Sequence, residues 1–137
     1  MATNWRSFAD EAVQRGLHAG ATYADVRIYP HDRSERIEVE NGEVVNVSTG
    51  TTAGFGVRVM VNGAWGFYST DDLNPKRIAD IVTQAVLNAR ANAQTRKHPV
   101  VLLSLGEHEC NKEYVYASPC AIDPFSISLD DKVRLLL

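Results

Sequence analysis

His108-Glu109-Cys110 is the one cluster of good metal ligands in this sequence. A catalytic zinc needs three protein ligands in fixed geometry, and helical zinc-protease motifs place a second histidine four residues beyond the first. That position is Lys112 here, and the variant with one more spacer meets Glu113. Because the second histidine is missing, we expect a solvated charged loop. A small zinc enzyme built on these three residues stays an alternative.

No other residue pattern predicts catalysis or cofactor binding. The sequence has no serine in a Gly-x-Ser-x-Gly elbow, and its histidines neighbour predicted helix ends and loops. The histidines are His18, His31, His98 and His108. The glycine-rich segment 50–56 opens no predicted helix, so it lacks the helix N-terminus that would bind a phosphate. Asp71 and Asp72 most simply belong to the turn before a helix. The sequence therefore predicts no catalytic, metal-binding or cofactor-binding residue in this chain.

Composition and charge exclude several classes of protein. The chain has 137 residues, of which 45% are hydrophobic and 23% charged, as in a globular protein of single-domain size. Its formal net charge of -3, with lysine and arginine spread along the chain, argues against direct nucleic-acid binding. No stretch reaches the roughly 18 apolar residues of a membrane span, and the charged N-terminus is unlike a signal peptide. We therefore expect a cytoplasmic protein with neither a nucleic-acid nor a membrane partner.

Alternating apolar and polar residues predict a series of β-strands. Strands are expected over 23–29, where Pro30 ends the strand or confines it to a sheet edge, and over 34–40. Asn41-Gly42 then supplies the positive φ angles of a type I′ turn, after which alternation resumes on a returning strand. The pattern indicates a half-solvated antiparallel hairpin.

A second hairpin is predicted around the turn Asn62-Gly63. The strand before this turn places four apolar side chains on one face: Phe55, Val57, Val59 and Val61. The strands also contain Gly54, Gly56 and Gly66. Each of these glycines marks a bulge, a bend or a close approach of another backbone. Among the rings that follow the turn, Trp65, Phe67 and Tyr68, at least one must point away from the core and offer a contact surface.

Two amphipathic helices flank the strands. The first begins after the cap residue Asn4 and ends at Gly16 or Gly20. The second begins at Asn74-Pro75, a cap residue followed by proline at the first helical position, and ends near Asn92. Both carry an apolar stripe that faces a core.

The C-terminal part of the chain has a less regular pattern of apolar and polar residues. The apolar segment 100–105 is either a short buried strand or an entry into another layer. Ser128 followed by Asp131 resembles a capping box, and 133–137 opens an apolar helix face. Because a natural terminus is rarely so apolar, we expect a helix cut after one or two turns, in a fragment or shortened relative of a longer protein.

Together these patterns predict an α+β fold. We expect a curved antiparallel sheet of about five strands with two helices packed against it, plus a C-terminal segment that starts a truncated helix.

Three ordered segments of the sequence resemble a known family. They are YADVRIY at 23–29, SERIEVENGEVVNVSTGTTAGFGVRVMVNGAWGFYSTDDL at 34–73, and the Asn-Pro helix start that follows. This set is similar to the N-terminal domain of the TldD/PmbA family, once called modulators of DNA gyrase. The later segment SPCAIDPFSISLDDKVRLL at 118–136 resembles the family's stretch in which Asp-Pro-Phe precedes a helix leading towards the second domain.

The resemblance implies a cytoplasmic zinc metalloprotease that cuts small or unfolded peptides. Such proteins work as homo- or heterodimers with a TldD/PmbA-type subunit. The family's metal is held by a His-Glu-x-x-x-His helix and a later cysteine in the larger C-terminal part, and no position of this sequence matches that motif. His108-Glu109 departs from it where the second histidine is required, so the resemblance carries over no catalytic or metal-binding residue.

The resemblance also implies a division of the chain. Residues 1–97 are expected to form the family's N-terminal domain, and 98–137 a connecting segment that leads towards an absent C-terminal metalloprotease domain. The N-terminal domain would shape the path of the peptide and contribute to the subunit contact. An edge strand could capture an extended peptide by main-chain hydrogen bonds. A stand-alone binding or regulatory module that pairs with a full-length relative stays an alternative.

Overall fold

The computed structural model describes residues 4–103 and 113–137. In these ranges the elements are α1 (Trp5–His18), β1 (Tyr23–Glu40), β2 (Glu43–Val61), β3 (Ala64–Thr70), α2 (Ile78–Thr95) and α3 (Leu129–Leu136). Two 3₁₀ turns, Pro75–Arg77 and Pro124–Ser126, precede α2 and α3. The predicted α+β class is confirmed.

The described residues form one antiparallel sheet of three strands, and the expected number of about five was wrong. The predicted strands over 23–29 and 34–40 are one continuous strand, β1, which runs through Pro30. The returning strand of the first hairpin likewise continues into the second hairpin as β2. The sheet order β1-β2-β3 explains why Pro30 does not end β1, since an edge strand tolerates a residue without an N–H on its open side.

Both predicted hairpin turns are confirmed by their backbone angles. Asn41 and Asn62 have φ of 53° and 50°, and the glycines that follow them have φ of 77° and 70°. Positive φ at both central residues is the signature of a type I′ turn, whose twist matches that of the flanking strands. The second turn sets the register of β2 and β3, which pair from Val61 with Ala64 to Phe55 with Thr70.

The described residues belong to two compact units, which we describe separately. The first comprises Met1–Asp32 with Thr51–Leu102, and the second Arg33–Gly50 with Leu103–Leu137. This division does not test the predicted boundary between 1–97 and 98–137, which stays a prediction.

The hydrophobic core of the first unit lies between the sheet and the two long helices. It contains the predicted face of β2 and the predicted stripe of α2; the buried members are Phe8, Ala12, Ala21, Phe55, Val57, Val59, Val61, Ile78, Ile81, Val82, Ala85, Val86 and Ala89. The rings of Phe8 and Phe55 meet edge to face at 4.8 Å between centroids. Burial of these side chains is the main term that stabilises the unit.

The helix caps lie where the sequence predicts them. Asn4 Oδ1 accepts a hydrogen bond from the Ser7 amide at 3.2 Å and begins α1. Of the two predicted stops, Gly16 is buried within the helix, while Gly20, at φ 95°, follows its end. Asn74 Oδ1 accepts from the Lys76 amide at 3.1 Å, and α2 ends at Thr95, one turn later than expected.

At Gly66 the backbone of α2 lies close to the sheet. A Cβ on this residue would lie 2.0 Å from the Ala85 carbonyl oxygen and 2.4 Å from the Ala89 amide nitrogen. The register of β2 and β3 is uninterrupted, so neither Gly56 nor Gly66 forms a bulge. The alternative of a close backbone approach is therefore correct for Gly66.

The second unit contains α3 and the distal ends of β1 and β2. Ser128 Oγ accepts from the Asp131 amide at 3.1 Å, which confirms the capping-box-like helix start. Lys132 of α3 pairs with Glu35 of β1. The Phe125 ring lies 4.8 Å from the Arg33 guanidinium carbon.

Segment 100–105 forms no strand over its described part, 100–103. Val101 and Leu103 are exposed there, so the alternative of a buried strand is wrong for these residues. Ser104 and Leu105 lie outside the described residues. None of the helices in the described ranges has the length and apolar character to span a bilayer.

Candidate functional site

The sheet of the first unit has a second face, opposite the helices. Alternation on each strand places Asp25, Arg27 and Tyr29 of β1, Gly54, Gly56 and Arg58 of β2, and Phe67 and Ser69 of β3 on this face. This face therefore carries polar, aromatic and glycine residues, whereas the core face carries mainly aliphatic side chains.

A groove of about 430 Å³ lies on this face. It is lined by Asp25, Arg27, Tyr29, Thr52, Ala53, Gly54, Phe55, Gly56, Arg58, Phe67, Ser69 and Thr70. All of these residues belong to the first unit. Aromatic surface with a few polar groups is the usual lining of sites that bind small molecules or peptide segments.

Arg58 anchors one end of the groove. Its guanidinium donates to Asp25 Oδ2, with an Nε to Oδ2 distance of 2.8 Å, and it lies 4.8 Å above the Trp65 ring. The Tyr23 ring meets the same Trp65 ring edge to face at 5.6 Å. The hydrogen bond to Asp25 raises the pKa of Arg58 above its ordinary value, so this cation stays charged at any physiological pH.

Two glycines form the floor of the groove on β2. A Cβ on Gly56 would lie 2.7 Å from the Phe67 ring, and a Cβ on Gly54 would lie 2.7 Å from the Thr70 carbonyl oxygen. The missing side chains let the Phe67 ring lie close to the backbone of β2. The Phe67 ring therefore forms part of the groove wall directly against β2.

The aromatic residues after the second turn behave as predicted. Phe67 and Tyr68 are 55% and 41% exposed, whereas Trp65 is half-buried beside Arg58. Tyr29 adds a further ring, which is 57% exposed. Exposed rings around a groove form a contact surface.

The two edges of the sheet differ. On β3 the outer carbonyls of Trp65 and Phe67 accept hydrogen bonds from Asn92 and Asn88 of α2, at 2.8 Å and 3.0 Å. On β1 no strand of the described residues pairs with the side away from β2. Within 4–103 and 113–137, the edge with backbone groups open to another strand is therefore that of β1.

The residues that the sequence analysis considered for chemistry are not brought together. His18 is at the end of α1, His31 is in β1 and His98 follows α2. Within 4–103 and 113–137, no three histidine, cysteine, aspartate or glutamate side chains form a group that could hold a metal ion. His108, Glu109 and Cys110 lie outside the described residues, so the predictions made for them stay predictions.

The groove is not predictable from the pattern of any one strand. Alternation on β1 and β2 does predict that Asp25, Arg27 and Arg58 leave the core face. It does not reveal that Arg58 pairs with a carboxylate 33 residues earlier in the chain. Strand pairing brings these residues together, and the sequence pattern of a single strand carries no signal of it.

The sequence profile of PmbA/TldA metallopeptidase domain 1 matches residues 24–91. The match begins in β1, contains both hairpins and ends in α2, so it includes every strand that forms the groove. The chain belongs to the TldD/PmbA family. The predicted resemblance to the N-terminal domain of this family is thereby confirmed.

Two curated relatives of this TldD/PmbA-family chain are archaeal metalloproteases. A metalloprotease of Methanothermobacter thermautotrophicus is 36% identical over 64 residues, which are 47% of this chain and 13% of that protein. A metalloprotease of Methanocaldococcus jannaschii is 23% identical over 127 residues, which are 93% of this chain and 27% of that protein. The chain therefore spans about a quarter or less of the length of these relatives.

Two solved structures share the fold of this TldD/PmbA-family chain. TldE from Thermococcus kodakarensis matches 61% of this chain and 18% of its own, with a TM-score of 0.51 and 20% identity. A proposed modulator of DNA gyrase from Bacteroides thetaiotaomicron matches 98% of this chain and 30% of its own, with a TM-score of 0.57 and 19% identity. At these identities the likeness establishes the fold alone.

Proposed function

We propose that this chain is a non-catalytic N-terminal part of a TldD/PmbA-like zinc metalloprotease, and that it shapes peptide access and subunit contacts. The observation that carries this proposal is the match of residues 24–91 to domain 1 of a metallopeptidase family. The relatives are named metalloproteases, and this chain spans only 13% and 27% of their lengths. The proposal places the protein in the cytoplasm, as a homo- or heterodimer with a TldD/PmbA-type subunit.

The zinc that the family implies does not fit the described residues. A catalytic zinc takes three protein ligands and an open position, and no such group of side chains occurs in 4–103 or 113–137. We therefore assign no hydrolytic step to these residues. In this proposal the metal ligands belong to the C-terminal metalloprotease domain of the family.

In this proposal the N-terminal domain holds the peptide, and the C-terminal domain cleaves it. An extended segment can pair with the open edge of β1 through main-chain hydrogen bonds, which do not depend on the peptide's sequence. The groove beside that edge adds apolar contacts from Tyr29 and Phe67. This combination suits small or unfolded peptides, whose backbones are not already paired.

A hydrolysis and metal assay on the purified 137-residue chain tests the non-catalytic assignment. We expect less than stoichiometric zinc by elemental analysis and no chelator-sensitive cleavage of casein-derived peptides. The same peptide mixture, at millimolar concentration, should bind weakly and shift amide resonances of β1 and of the groove. Cleavage that a chelator abolishes would show that the chain is itself an enzyme, and absence of any binding would remove the proposed role in peptide access.

A further inference from the structure

Among the described residues, the groove contains a cation that forms no ion pair with a carboxylate. Its lining has three charged side chains, Asp25, Arg27 and Arg58. Asp25 is engaged by Arg58, at 2.6 Å, and no ion pair joins Arg27 to a carboxylate of the described residues. The charged side chains of the lining therefore sum to one net positive charge, with Arg27 as the arginine outside the ion pair.

Aromatic surface lies within reach of this charge. Tyr29 follows Arg27 by two residues on β1, so both side chains point to the same face, roughly 7 Å apart along the strand. Phe67 lines the other side of the groove, on β3. The strand between them, β2, contributes Gly54 and Gly56, and the Phe67 ring lies where a side chain of Gly56 would be.

We infer that the groove binds the C-terminal residue of a peptide, with the free carboxylate on Arg27 and an aromatic side chain against Tyr29 and Phe67. A C-terminal residue carries its carboxylate and its side chain on one Cα, so a single residue supplies both the anion and the apolar body. An arginine fork matches a carboxylate with two parallel hydrogen bonds. This inference rests on the proposed function, because it names the part of the peptide that the domain holds.

An internal acidic residue fits the same groove less well. The side chain of aspartate or glutamate would supply the anion to Arg27 but would leave the Tyr29 and Phe67 rings without an apolar partner from the same residue. The edge of β1 offers main-chain hydrogen bonds to any peptide. The groove would therefore add a preference for the peptide's end to a binding mode that is otherwise indifferent to sequence.

The test compares three short acetylated peptides on the purified chain, by NMR chemical-shift titration. One ends in a free phenylalanine carboxylate, the second is its C-terminal amide, and the third is an amide with aspartate before the phenylalanine. Because Arg27 is exposed, we expect the free carboxylate to bind about fivefold more tightly than either amide, in line with a solvent-exposed ion pair.

Two substitutions separate the charge from the apolar contact. R27Q should abolish the preference for the free carboxylate while leaving the affinity for the amide unchanged. Phe67→Ala should weaken both peptides alike, because it removes aromatic surface and no charge. The control R36Q removes another exposed arginine of β1, which pairs with Glu38 outside the groove, and should change neither affinity.

Each outcome decides the inference. Equal binding of the free acid and the amide, a preference that survives R27Q, or no binding of any of the three peptides at millimolar concentration overturns it. Equal binding of the aspartate peptide and the free acid shows that Arg27 recognises any carboxylate, which also overturns it. Loss of the preference leaves the non-catalytic assignment untouched, since only chelator-sensitive hydrolysis by the chain contradicts that assignment.

Discussion

Gly66 determines how closely α2 can lie on the sheet. Its missing side chain brings the backbone of β3 against Ala85 and Ala89, where a Cβ would be 2.0 Å from a carbonyl oxygen. Backbone atoms at this distance cannot rotate away as the end of a long side chain can. The residue therefore has a packing role that its weak strand propensity alone does not suggest.

We expect Gly66→Ala to destabilise the protein by about 1–3 kcal/mol, the usual cost of inserting a methyl group into a filled interior. Urea unfolding followed by tryptophan fluorescence measures this change. The matched control is Gly50→Ala in β2, where the new Cβ meets only the Ser34 hydroxyl group at 2.9 Å. Equal unfolding midpoints for the two variants would show that α2 can move away from the sheet at no cost.

At the scale of elements, the two edge strands of the sheet differ in how their outer edges are covered. The outer edge of β3 is covered by α2, whose Asn88 and Asn92 side chains donate to two of its carbonyls. A covered edge cannot pair with another chain. No strand of the described residues pairs with the outer side of β1, so we expect an added strand to pair there.

Replacing an amide of α2 by a carboxylate tests the cover of β3. Asn92→Asp removes the donor to the Trp65 carbonyl and places a negative charge beside it, so we expect a loss of about 1 kcal/mol in the free energy of unfolding. Faster aggregation on heating should accompany this loss, because the β3 edge becomes accessible. The control is Gln94→Glu, two residues later on α2 at an exposed position. It makes the same chemical change at a side chain that bonds no strand carbonyl of the described residues, so it should have little effect.

At the scale of the whole molecule, apolar surface remains on the second unit. The helix α3 exposes Leu135 and Leu136, and Leu137 is exposed directly after its end; Leu135 is 87% exposed. Leu135 and Leu136 line a depression of about 430 Å³ together with Phe125 and Ile37 of the same unit. Such a patch is costly in water and marks a surface that another protein can cover.

We expect the chain to self-associate through this patch in a concentration-dependent way. Light scattering during size-exclusion chromatography should show species larger than a monomer, and substitution of Leu135 and Leu136 by glutamine should shift them to monomer. The control is Leu87→Gln, an exposed leucine of α2 in the first unit. A clean monomer at every concentration would contradict the expectation.

Local features were predictable because their causes are local. The positive φ angles of Asn41 and Asn62 follow from the Asn-Gly turns, and the helix starts at Asn4 and Asn74 follow from side chains that bond the next turn. The continuity of β1 through Pro30 was not predictable in this way, because it depends on which side of the strand has a partner. The candidate groove was missed for the same reason.

The sequence by itself determined the class of fold, the two hairpins, the stripe of α2 and the family, since each depends on residue types at short fixed spacing. Only the tertiary structure decided that the described residues form three strands instead of about five, that α2 lies against Gly66 and that Arg58 meets Asp25 beside a groove. These facts concern residues far apart in the chain. Their contacts are set by the packing of sheet and helices, a property that no single segment of the sequence possesses.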